Sequence, residues 1–224
     1  MKWSVAVLLG AMQLAWVGVA QADAKFEHLA VRVEQNATDN DFEIVFEATG
    51  GDTGLAALKV TAPDGRIVID FKSPGAKLGM RSFRLETPEP KSLSGLQADF
   101  PAGDYTFTAS TVAGMGFSGI AKLSHKLPGV ATAVRPRDGE QNVAVKGLQI
   151  QWQAPKDLAA CNITIEHDLS GAKIVQATLP GAAGVFQVPE KLLARDTQYK
   201  VSVGTVSAEG NGTYVESTFK TAKK

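Results

Sequence analysis

Gly114, Gly116 and Gly119 reproduce the G-x-G-x-x-G spacing that lets a backbone approach a pyrophosphate at a helix N-terminus. That chemistry needs a strand before the glycines and a helix after them. Residues 120–128 are short, strand-like and closed by Pro128, so the glycines read as the tip of a hairpin. The histidines, His28, His125 and His167, show no H-x-x-x-H spacing, and no G-x-S-x-G elbow supplies a nucleophile. Each reads as a surface histidine on a strand, with His28 and His125 in the first and last strands of one domain, where they could be neighbours. The single thiol, Cys161, falls in an inward alternation and reads as buried and inert. One cysteine also excludes a disulfide framework and a cysteine-based zinc site. The densest acidic cluster is Asn36, Asp39, Asp41 and Glu43, with Asp52 and Asp138 as candidates to approach it. Ca²⁺ would need converging carboxylates at a domain junction. Asp41 and Glu43 alternate with core residues instead, the spacing of a solvated outer face, so no Ca²⁺ is expected. No catalytic, cofactor-binding or metal-binding residue is nominated, no cofactor is expected, and the chain does not read as an enzyme.

The elements around these residues are short strands. The chain has 224 residues, 23 basic and 23 acidic, and 21% charged residues, an ordinary globular composition. A zero balance argues against nucleic acid, which calls for a clustered basic excess. Lys2, the apolar run at residues 5–20 and the small residues Ala20 and Ala22 make a secretory signal peptide over residues 1–22, with cleavage after Ala22, or alternatively after Ala24. The run is too short for a membrane span. Cleavage removes Lys2 and no acidic side chain, leaving 22 basic against 23 acidic. The expected location is periplasmic or secreted.

Past the leader, apolar residues recur with period two. Leu29, Val31 and Val33 alternate with polar residues, as do Phe42, Ile44 and Phe46. Pro63, Asp64 and Gly65 divide two apolar runs in the manner of a hairpin turn. Tyr105 and Phe107 mark a later strand. Only residues 93–100 and 190–194 could hold a helical turn. The pattern predicts an all-β chain of two tandem β-sandwich domains, with residues 23–127 first. Residues 128–142 form a linker and first strand, and residues 134–224 the second sandwich.

In the second half, Trp152 lies in a strand ended by Pro155. Leu192 and Leu193 precede an alternation of Thr197, Tyr199, Val201 and Val203, and a glycine-containing loop leads to a last strand ending at Thr218, Phe219 and Thr221. On these residues, positions 134–221 resemble a fibronectin type III domain. The resemblance implies that Trp152 and Tyr199 are core landmarks, and Cys161 stands where the family usually places a strand tyrosine. The first half is more loosely similar to a bacterial immunoglobulin-like or type III-like sandwich, through Pro101, Gly103, Tyr105 and Phe107.

The expected function is an exported, non-enzymatic protein-binding or structural envelope protein whose partner is another envelope or extracellular protein, with no nucleic acid and no membrane span. The alternative is a periplasmic assembly chaperone of two immunoglobulin-like domains. Such a chaperone lends a strand of alternating bulky residues, and residues 119–127 offer only Ile120, Leu123 and Leu127. With Trp152 in the core, no aromatic platform for a sugar is expected.

Overall fold

The computed structural model describes residues 25–224 except 53, 74, 76, 77 and 91. The signal-peptide expectation lies outside the described residues. The strands are β1 (His28–Asn36), β2 (Asp41–Thr49), β3 (Leu55–Thr61), β4 (Ile67–Lys72), β5 (Ser82–Glu86), β6 (Gly103–Thr111), β7 (Gly116–Leu123), β8 (Thr132–Arg135), β9 (Glu140–Val143), β10 (Gln149–Gln153), β11 (Ala160–His167), β12 (Lys173–Pro180), β13 (Val185–Gln187), β14 (Gln198–Val206) and β15 (Gly212–Thr221). One helix, α1 (Leu93–Asp99), is capped by Ser92, whose Oγ accepts the Gly95 N–H, and it buries Leu96. Residues 190–194 form turns rather than a helix.

The same strand order occurs twice. β1-β2-β5 faces β4-β3-β6-β7, and β8-β10-β13 faces β12-β11-β14-β15. Numbered within each half, both are 1-2-5 against 4-3-6-7, and the short β9 is an addition in the second. Each half has its own core. Val33, Ile44, Val60, Tyr105 and Phe107 lie in the first, and Ile150, Trp152, Ile163, Tyr199 and Phe219 in the second. Both sixth strands carry, near their start, a tyrosine that ties a corner. The Tyr105 hydroxyl donates to the Pro101 carbonyl at 3.1 Å, and the Tyr199 hydroxyl accepts the Ala194 N–H at 2.8 Å. The fold is an all-β pair of fibronectin type III-like sandwiches.

The two halves are joined by a sheet. β1 pairs in parallel with β15 through Glu34↔Gly212, Gln35↔Thr213 and Asn36↔Tyr214. The three-stranded sheet of the first half thus continues into the four-stranded sheet of the second, and β9 occupies the far end of the same β15 edge. Partners across a ladder share a face. Gln35 and Thr213 therefore point to the side that carries both cores, while Glu34, Asn36 and Tyr214 point to the other. Both covering sheets pack on one side of the fused sheet, and among the described residues the opposite side carries no layer.

Side chains lock this seam. Asn211 is fully buried. Its Oδ1 accepts the Val33 N–H at 2.9 Å, and its Nδ2 donates to the Ser124 and Lys126 carbonyls at 3.0 and 3.1 Å. Thr213 Oγ1 donates to the Pro128 carbonyl and Thr205 Oγ1 to the Gly129 carbonyl. The Glu216 N–H donates to Thr38 Oγ1 at 2.7 Å. The connecting residues are thus held against β14 and β15 along their length.

Candidate functional site

The uncovered side of the fused sheet is built from the alternate residues of its seven strands. β1 presents His28, Arg32 and Glu34 there, β2 presents Glu43 and Glu47, and β5 presents Arg84 and Glu86. β15 presents Tyr214 and Glu216, β14 Lys200 and Ser202, and β11 Asn162, Thr164 and Glu166. Two adjoining cavities of about 240 and 480 Å³ lie on this side, a third of about 470 Å³ opens beside them in the notch between β1 and β7 of the first half and β11 and β14 of the second, and Tyr214 lines all three. One is lined both by Arg84 of β5 and by Gln176 of β12, the two ends of the sheet order. Seven strands laid flat would span about 29 Å. The sheet therefore curls into a trough with the β1–β15 seam along its floor.

Tyr214 is the centre of that floor. Gly204 is its cross-strand partner and Gly212 precedes it by two on the same strand. A Cβ at either glycine would strike the tyrosine ring, so the two bare backbones let the ring lie over the sheet. The Asn162 side chain stands beside the Tyr214 hydroxyl and accepts a bond from Thr178 Oγ1 at 3.0 Å. Burial, and then the charge of Glu34, push the phenol pKa up, with Asn162 opposing, so the ring stays neutral.

One end of the trough is a closed set of ion pairs. Arg32 grips Glu47 with both terminal nitrogens at 2.8 and 3.1 Å and reaches Glu34 through Nε at 2.8 Å. Arg84 meets Glu47 at 2.6 Å and Glu86 at 2.6 Å. Glu47 is pulled down to about 2, chiefly by the Arg32 hydrogen bond, with burial opposing and Arg84 assisting. The other end is acidic. Glu34 and Glu43 stand directly opposite each other on β1 and β2, a like-charge pair. Glu34 has arginine partners, whereas among the described residues no cation stands within ion-pair distance of Glu43. Burial, then the charges of Glu86 and Glu34, push Glu43 up to about 7. Asp41 and Glu89 line the same cavity, and across the seam Lys200 is taken up by Glu166 at 2.9 Å and Glu216 at 3.3 Å.

The residues singled out in the sequence scatter. Asn36 Oδ1 caps the β1–β2 turn by accepting the Thr38 and Asp39 N–H groups, and Asp41 is buried beside the trough rather than solvated. Asp52 pairs with Arg81, and Asp138 accepts the Thr218 N–H and hydroxyl, so neither joins the cluster. Among the described residues no group of His, Cys, Asp or Glu could hold a metal ion. His28 meets Glu47 at 3.1 Å. His125 lies beyond the end of β7, not within the strand, and meets the Phe100 carbonyl at 2.8 Å, so the two are given separate partners. The His167 ring is set edge-on to Tyr199. Cys161 is fully buried, and burial pushes its thiol up. Gly114, at φ +83°, does sit in the hairpin turn, but Gly119 lies within β7 beneath Leu29, where a Cβ would collide. The sequence reading passed over Tyr214, Asn162 and Asn211. The signal available for the first was a pair of glycines, Gly204 and Gly212, interrupting strong strands.

No family model matches the chain, and no curated protein does. Solved structures similar to it include a segment of two fibronectin type III domains from chicken tenascin, at 14% identity, 88% of this chain, 99% of that one and TM-score 0.36. Others are chicken CNTN1 FN1-FN3 domains (10% identity, 88% and 65% covered, TM-score 0.36) and the fibronectin(III)-like modules of Clostridium thermocellum CbhA (11%, 87% and 91%, 0.33). At such scores the fold assignment stands on the chain's own strand order and tyrosine corners.

Proposed function

We propose that this chain is an exported, non-enzymatic protein-binding or structural protein of the cell envelope, periplasmic or released, and that the uncovered side of its fused sheet is the docking surface. The residues of the leader support export, and among the described residues no helix is long and apolar enough to cross a membrane. The observation that carries the docking role is the seam. A parallel β1–β15 pairing, sealed by Asn211, turns two sandwiches into one body with a trough that neither half has alone. Pre-set surfaces bind without the ordering cost of a flexible joint. A lent strand has little support: the outward side of β7 offers Ile120, 65% exposed, while Leu123 is fully buried in the core.

The test is photo-cross-linking in intact cells from Ser202, on the trough floor, and from Thr108, exposed on β6 of the first sandwich. A protein captured from Ser202 and not from Thr108 is expected. Capture from Thr108 alone, or retention on envelope polysaccharide with no protein captured, would overturn the reading.

A further inference from the structure

We propose that the trough receives a basic polypeptide segment in extended form, one arginine of which stacks on the Tyr214 ring while neighbouring Lys or Arg side chains meet Glu43, Glu34 and Glu216. This deepens the docking role above and rests on it. Two independent features select the ligand's chemistry. The first is the pinned aromatic ring. Tyr214 is laid over Gly204 and Gly212 and flanked by Asn162, so it is a stacking surface already in place. A guanidinium is the cation that best combines stacking on a ring with hydrogen bonds to flanking carboxylates.

The second feature is an acidic surplus on an uncovered sheet, centred on Glu43. Of the carboxylates that line the cavity at the end of β1, Glu34 is held by Arg32 and Arg84, and Glu166 and Glu216 share Lys200. Glu43 is half-buried, faces Glu34 across the ladder and has no cation within reach among the described residues. Such a placement works against folding, and conflicts of this kind concentrate where a protein meets its ligand. The carboxylates are spread along the floor rather than convergent, and among the described residues none of them forms a metal-holding group. A single focal cation therefore does not fit, while several charges on one chain do. The length agrees: β1 has nine residues, about 30 Å of strand, and the two cavities of the trough follow one another beside it.

The probe is a synthetic octapeptide of alternating Arg and Thr, with an otherwise identical Glu-Thr peptide as control, titrated calorimetrically into the full processed chain at slightly alkaline pH. Binding of the Arg peptide alone is expected, weakened on the order of tenfold by Tyr214→Leu and about fivefold by Glu43→Gln, and reduced by salt. Ser202→Lys adds a charge to the floor without touching either core and is expected to weaken binding about fivefold, which keeps the proposal testable if Tyr214→Leu fails to fold. Equal binding of both peptides, or Arg-peptide binding indifferent to Ser202→Lys and Glu43→Gln, would overturn it. A protein captured from Ser202 through a segment without Lys or Arg would overturn this inference and leave the docking face standing. Capture from Thr108 alone would remove both.

Discussion

Two glutamates two turns of the ladder apart titrate in opposite directions, and the difference is who stands beside them. Glu47 has Arg32 and Arg84 as direct partners; Glu43 faces Glu34 from β1, Glu86 and the more distant Arg84 from β5, and Glu89. Glu43 is held near 7 against an ordinary 4.5, so the folded state keeps this proton more tightly than the unfolded chain. Its stabilising contribution is complete below the unfolded value and is lost as pH rises through 7. Replacing it by glutamine removes the charge that alkaline pH creates. Glu43→Gln is expected to raise stability by ~1 kcal/mol, after discounting for solvent screening, or ~2–4 °C in Tm, at about pH 8 and to do nothing near pH 4. Thermal scans at the two pH values check this, and equal shifts at both would contradict it. Glu47 has the reverse sign: its contribution is present above 4.5 and disappears as pH falls toward 2. Arg32→Ala leaves Glu47 and Glu34 short of their main partner in a half-buried setting. A loss of about 2 kcal/mol is expected in urea titrations at neutral pH, shrinking in acid.

Among the elements, the seam between β1 and β15 depends on Asn211, which satisfies one orphan N–H and two carbonyls from segments far apart in sequence. Asn211→Ala leaves the Val33 N–H buried without a partner. It is expected to cost about 2–3 kcal/mol and to speed amide exchange at Val33 more than at Ile163 in the distant core. Uniform acceleration at both sites would mean that the seam opens only with the whole molecule. The strands themselves were legible, because alternation in residues such as Phe42, Ile44 and Phe46 or Leu148, Ile150 and Trp152 reports a one-sided core directly. The seam was not. Its pairing residues, Glu34 to Asn36 and Gly212 to Tyr214, are polar or small and carry no periodic signal. Asn211 sits in a glycine-rich stretch that reads as any turn. The trough shared that fate: Asp41 and Glu43 were correctly set on the outward side, but without the seam that side reads as open water. The helical turn at residues 93–99 appeared and the one at 190–194 did not. The first has a capping serine, whereas the second includes Lys191 at φ +70°, outside the helical region.

For the molecule as a whole, continuity of one sheet through both halves couples their stabilities. Calorimetry is expected to show one cooperative transition, where a freely jointed pair would give two. Scattering profiles are expected to fit one rigid shape. Two resolved transitions in the intact chain would contradict the coupling. The parallel seam also has a consequence in time. Among the described strands β1 is synthesised first and β15 last, with the Asn211 contact to Val33 spanning 178 positions. A nascent chain can assemble the first sandwich early, since its seven strands are consecutive. The floor under Tyr214 cannot exist until the final strand arrives. The trough is thus a certificate of completion: an interrupted chain leaves the β1 edge bare, and the proposed docking face exists only once both halves are made.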